Sequence, residues 1–200
     1  RTIMGADSFD SGEIIVIDRI IGTPSPARMK KIGLGFTPEN RKEEGLVQVL
    51  STRDNLCLAS LNRIAWGGVI QKKLEENMVT QSVDSLHIAV SDTYQSVSSL
   101  SGGNQQKVVV GNWLNTRPGI MLFDEPTRGI DVQSKQQIFQ IMWDLSHQGI
   151  SSIFVSSELE ELIEVCHRIL VLHKGRIVSE IKSDGLTLER LFKLCMEGQE

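Results

Sequence analysis

The chain has 200 residues, 40% of them hydrophobic and 23% charged, which suits a folded core of about one ordinary domain and excludes a disordered or fibrous chain. No apolar run approaches the roughly 20 residues of a membrane-spanning helix, and the opening Arg1-Thr2-Ile3-Met4 does not read as a signal peptide, so any membrane role is expected to be peripheral. The net charge of -4 argues against general electrostatic binding to a nucleic-acid backbone.

Asp10-Ser11-Gly12 is a turn signal, and Ile14 to Ile17 after it reads as a short strand. Ser25-Pro26-Ala27 has the form of an N-cap with proline in the first helical position, opening a short helix that leads to an apolar segment over Ile32 to Phe36. The connection from Thr37 to Lys42 is polar and broken by Pro38. From about Thr52 to Val90 the apolar spacing becomes helical, through Leu56, Leu58, Leu61 and Ile64 and then Leu74, Met78, Val83 and Leu86. Gly67-Gly68 separates these two helical stretches. Ser101-Gly102-Gly103 precedes a further helix that carries Val108, Val109, Trp113 and Leu114 and ends before Pro118.

Beyond Gly119, strands at Ile120 to Phe123 and Ile153 to Val155 alternate with helices over Val132 to His147 and Leu159 to Cys166. That alternation predicts an α/β fold with a parallel, doubly wound sheet. Ile169 to Leu172 and Arg176 to Val178, joined at His173-Lys174-Gly175, read as a closing hairpin, and an amphipathic helix follows over Leu186 to Cys195.

Ile120 to Thr127 runs from four apolar residues directly into two adjacent carboxylates, Asp124 and Glu125. Ligands bind at the carboxyl edge of a parallel sheet, and neighbouring carboxylates repel, so a Mg2+ and phosphate site accounts for the pair better than solvation does. A solvated strand-end turn is the alternative. In phosphate-handling sites of this type the first carboxylate holds Mg2+ through water, and the second orients or deprotonates the attacking water. In Leu100-Ser101-Gly102-Gly103-Asn104-Gln105-Gln106-Lys107 the glycines permit close backbone approach, and the free N–H groups of a helix start suit a phosphate. Serine is equally an ordinary N-cap. Cys57, Cys166 and Cys195 are widely spaced in apolar helical patterns and read as small buried hydrophobes in a reducing compartment, not as zinc ligands. The four histidines share no metal spacing, and Trp66, Trp113 and Trp143 form no stacking series.

In combination, Leu100-Ser101-Gly102-Gly103 with Gln105-Gln106, then Asp124-Glu125-Pro126-Thr127, then Gly129-Ile130-Asp131 resemble an ATP-binding cassette (ABC) ATPase over nearly the whole chain. With Pro38-Glu39-Asn40-Arg41-Lys42 and Val155-Ser156-Ser157-Glu158 they are most similar to the second cassette of tandem sugar-importer ATPases of the ribose, galactose and arabinose type. The resemblance implies a P-loop NTPase-like nucleotide-binding domain with a parallel sheet core. Its parts would be a partial β and core lobe over 1–50, an inserted helical lobe with the signature motif over 51–115, and a RecA-like core over 116–200. Ser101, Gly102 and Gly103 would form the signature loop, which contacts the γ-phosphate of ATP held by the opposite cassette, with Gln105 in the same first turn. Asp124 would be the Mg2+-associated carboxylate, Glu125 the catalytic general base or water-orienting residue, and Asp131 part of the loop crossing the cassette interface. The helical lobe would face an integral-membrane permease. The implied activity is ATP hydrolysis coupled to sugar uptake at the cytoplasmic face of the membrane, with ATP and Mg2+ as cofactors and a periplasmic or extracellular sugar-binding protein as indirect partner. A cassette of translation or DNA repair is disfavoured by the acidic charge and by Asn104-Gln105-Gln106.

The phosphate loop of such a cassette, Gly-x-x-x-x-Gly-Lys-Ser/Thr, is absent, since none of the 17 glycines precedes a lysine. In the family that loop lies just upstream of a segment like Arg1-Thr2-Ile3-Met4-Gly5, so the sequence reads as a fragment cut after it and is expected to be inactive alone. Ser157 stands where most cassettes carry a histidine, and a serine cannot supply the same charge-bearing contact to the γ-phosphate. The usual loop glutamine would fall near Thr37, and Glu39 is its candidate substitute. Both departures resemble a second cassette whose own site hydrolyses poorly. The alternative function is therefore a degenerate regulatory half that lends its signature to a partner cassette, either the N-terminal cassette of the same chain or a second ATPase copy.

Overall fold

A computed structural model describes residues 1–197. Contacts divide the chain into two units, Arg1–Ile153 and Phe154–Glu200.

In the first unit, β1 (Ile14–Val16) and β2 (Arg19–Ile21) pair antiparallel through a two-residue turn. That turn puts Ile17 at φ 49° and Asp18 at φ 58°, in the left-handed region where a β-branched residue is disfavoured. Helix α1 (Pro26–Ile32) starts as expected: Ser25 accepts a hydrogen bond from the Arg28 backbone, Pro26 occupies the first turn, and Gly33 at φ 102° ends it. Strand β3 (Leu34–Thr37) then pairs in parallel with β6 (Ile120–Asp124), Leu34 opposite Ile120 and Thr37 opposite Phe123. With β7 (Ser151–Val155) the sheet order is β3-β6-β7, which makes β6 the central strand and accounts for the burial of Met121, Leu122 and Phe123. Met4, Val16, Ile21, Met29, Leu34 and Leu122 form one core cluster, against which Trp113 packs.

Helix α2 (Thr52–Cys57) opens on a capping box: Ser51 Oγ accepts from the Asp54 backbone at 3.0 Å and the Asp54 carboxylate accepts from the Ser51 backbone at 3.2 Å. A short 3-10 turn (Leu58–Ser60) continues it into α3 (Leu61–Ile64). Gly67 and Gly68, at φ 57° and 82°, form the turn of a small hairpin, β4 (Ala65–Trp66) and β5 (Val69–Ile70), where the sequence suggests only a break between helices. Helix α4 (Lys72–Ser85) follows, and then α5 (Gly102–Leu114), which is buried at Gly103 and from Gln105 to Asn112. Helix α6 (Val132–His147) turns Ile138, Phe139, Ile141, Met142 and Leu145 inward at helical spacing.

The second unit contains α7 (Leu159–Val165), the hairpin of β8 (Arg168–His173) and β9 (Arg176–Lys182), and α8 (Leu188–Glu197). Ile169, Val171, Leu186, Leu191 and Leu194 make its core, with Leu159, Leu162 and Ile163 packed on them. No helix among the described residues is long and apolar enough to cross a membrane.

Candidate functional site

The parallel register of β3 and β6 sends two segments out of the same sheet edge, one beginning at Pro38 and the other at Asp124. Asp124 closes β6 half-buried, and Glu125 follows at φ 45°, an unusual backbone for a residue with a side chain. The Glu125 carbonyl accepts from the Arg128 N–H at 3.1 Å, turning the chain back at once. The loop ends at Asp131, the N-cap of α6, whose carboxylate accepts from the Ser134 N–H at 2.9 Å and the Ser134 hydroxyl at 2.7 Å. The backbone bond first, and the hydroxyl second, hold the Asp131 carboxyl below its usual range.

Ser101 caps α5, its hydroxyl accepting from the Asn104 N–H at 3.4 Å and the Asn104 side-chain amide at 3.0 Å. Asn104 in turn accepts from the Ala89 N–H at 2.9 Å. The side chain of Gln105 is turned into the protein: it is 4% exposed, and its amide donates to the Val97 and Leu100 carbonyls at 3.3 and 3.2 Å. It thus braces the start of α5 against the segment from Val97 to Leu100. Lys107, two residues on, is buried as well, donates to the His87 carbonyl at 2.7 Å, and has its pKa lowered by desolvation.

The two loops form one assembly. A Cβ at Gly103 would overlap Ser134, so the first turns of α5 and α6 touch. A Cβ at Gly102 would lie 2.8 Å from the Arg41 guanidinium and 3.3 Å from the Gly129 carbonyl. Arg41 opens a π-helical turn, Arg41–Gly45, and donates to the Arg128 and Gly129 carbonyls at 2.8 and 3.2 Å. Glu39 forms an ion pair with the Arg128 side chain. Glu39, Ser101, Gly102, Gly103 and Asp131 thus gather around residues 128–131, on the loop that Asp124 and Glu125 begin. Ser157 belongs to the second unit, between β7 and α7, beside Ser156, whose hydroxyl donates to Glu161 at 2.8 Å. In the sequence Arg41 stands only as part of the Pro38–Lys42 connection, and nothing there assigns its side chain a role.

A family model described as ABC transporter matches residues 1–128. The chain belongs to the ABC transporter family. This cassette is 39% identical to the ribose import ATP-binding protein RbsA of Oceanobacillus iheyensis, over 99% of the chain and 40% of that relative. It is likewise 39% identical to the protein of that name from Bacillus subtilis, over 100% of the chain and again 40% of the relative. The chain therefore spans about two fifths of the length of these curated relatives. Among solved structures, the ATP-binding cassette MJ1267 superposes with a TM-score of 0.77 over 98% of this chain and 77% of that one, at 20% identity. A dimeric post-hydrolysis cassette, MJ0796 bound to ADP and Pi, gives 0.73 over 86% of this chain and 74% of that one, at 21% identity. These likenesses establish the P-loop NTPase-like ABC fold.

The residues of this cassette suit Mg2+. No cluster of three or more His, Cys, Asp and Glu side chains able to hold a metal occurs among the described residues. What the end of β6 offers is a carboxylate pair, and Mg2+ takes one or two carboxylates together with water and phosphate oxygens in preference to an all-protein cage.

Proposed function

We propose that this chain is the second cassette of a tandem ATPase that drives the import of a simple sugar. It would act peripherally at the cytoplasmic membrane face with an integral permease and an extracytoplasmic sugar-binding protein. The assembly of Ser101–Gly103 with the loop that begins at Asp124 and Glu125 carries the reading, because phosphoryl transfer is mostly positioning and charge neutralisation at such a cluster. The names of the relatives, ribose import ATP-binding proteins, support the cargo class.

In this reading each nucleotide site is composite, using the phosphate loop of one cassette and the signature of the other. The α5 N-terminus presents Ser101, Gly102 and Gly103 to the γ-phosphate of ATP bound by the partner cassette, where backbone N–H groups and the helix dipole favour negative charge. Asp124 would hold Mg2+ through water in this half's own site, and the ion would offset phosphate charge there. Glu125 orients or deprotonates water in that same site. The resemblance sets Ser157 where most cassettes carry a histidine, and a cassette without that histidine would be the weaker of the two.

Ser101→Arg in the intact transporter should lower ATPase activity by about 10²-fold or more, the size of a lost transition-state contact, while Glu125→Gln costs far less. Equal losses overturn the division of labour. An entirely silent Glu125→Gln favours the second reading, a regulatory half without turnover, for which Ser157 is the supporting observation.

A further inference from the structure

We infer that Arg41 is a positioning residue: it pins the loop between β6 and α6 against the first turn of α5 and so sets where Ser101, Gly102 and Gly103 stand toward nucleotide. The inference rests on the function proposed above. Three segments distant in sequence meet at its guanidinium. The side chain is half-buried, and its two terminal nitrogens each take one of two successive carbonyls, Arg128 at 2.8 Å and Gly129 at 3.2 Å. Its Nε is enclosed without a hydrogen-bond partner, so the planar fork is held by those two bonds and by the shape of its slot.

The slot exists because residue 102 is glycine, since a Cβ there would come within 2.8 Å of the guanidinium. The same imaginary Cβ would lie 3.3 Å from the Gly129 carbonyl, so the signature turn rests directly on the loop that Arg41 holds. Glu39 ties the Arg128 side chain to the same segment, and Asp131 with Ser134 fixes the far end of the loop beneath Gly103. Displacing residues 39–45 therefore moves the carbonyls of 128 and 129, and with them the seat of Gly102. Arg41 is the link that transmits such a movement.

The test uses the intact transporter with Arg41→Lys and Arg41→Gln. Lysine keeps the charge but cannot span two carbonyls in a fixed fork. For both variants kcat for ATP hydrolysis should fall about tenfold or more, as a displacement near 1 Å does at reacting groups. KM for ATP should move less than about threefold, because the nucleotide is held by the opposite cassette. Amide exchange in Arg41→Lys should speed up at 102–105 and 128–131 and stay unchanged in α4 and in the β8–β9 hairpin. Faster exchange throughout means a merely structural role and overturns the inference. Unchanged kcat in Arg41→Lys, alongside an inactive Ser101→Arg, overturns the inference alone. Unchanged hydrolysis in Ser101→Arg overturns the proposed function and the inference with it.

Discussion

Cys57 is buried, and desolvation first, then the nearby Glu75 carboxylate, push its thiol up to about 11 from an ordinary 9.0. Desolvation alone pushes Cys166 to about 11. A raised thiol pKa means that the folded chain prefers the neutral form, so this contribution to stability is complete below pH 9 and is lost between pH 9 and about 11. Urea denaturation across that window should show a steeper fall for the natural chain than for Cys57→Val, which has no thiol to ionise. Thiol reagents at pH 8 should label the folded chain far more slowly than the unfolded one. Gly103 makes a different argument about single residues. The space that a Cβ would need there is already taken by Ser134 of the same chain. Gly103→Ala should therefore cost about 1–3 kcal/mol by overpacking, and Ser134→Gly added to it should restore part of that loss, read as the coupling in a denaturation double-mutant cycle.

Where an element is bounded by its own side chains, the sequence was enough. α1 starts at the Ser25-Pro26 cap and α6 starts at Asp131, and the expected and observed limits of α6 agree at both ends. Strand β6 was legible from its uninterrupted apolar run, the pattern of a strand covered on both faces. The two small hairpins were not legible. Gly67-Gly68 lies in a helical region and has only two strand residues on either side, too few for a period of two to show. The β1–β2 turn carries Ile17 and Asp18 where Asn-Gly is the usual signal, so nothing marked the reversal and β2 went unnoticed. That turn is consequently improvable. Ile17 is 70% exposed and packs nothing away, yet sits at φ 49°. Ile17→Asn should stabilise the chain by about 1 kcal/mol, the scale of left-handed strain in a β-branched residue, visible as a higher urea midpoint at unchanged m. The Arg41 latch escaped for another reason: hydrogen bonds from a side chain to backbone carbonyls 87 and 88 residues away leave no periodic trace in sequence.

The alternation of strands and helices after Gly119 announced a parallel sheet, but it did not announce that the last helix and hairpin have a core of their own. Leu191 is wholly enclosed within it, among Ile169, Val171, Leu186 and Leu194, and none of these belongs to the cluster around Met29 and Leu34. Residues 154–200 are too few to bury a large core, so a single deletion there removes a sizeable share of what holds the unit together. Leu191→Ala should cost about 2–5 kcal/mol, the range for emptying a filled core position. Since the two clusters share no residue, the loss should be felt locally: amide exchange in β8 and β9 should quicken by about one and a half to three and a half orders of magnitude, about 1.4 kcal/mol per factor of ten, while α5 keeps its protection. Equal acceleration in α5 and in the hairpin would show one cooperative body instead, in which the loop from Asp124 to Asp131 and the Ser157 segment open together.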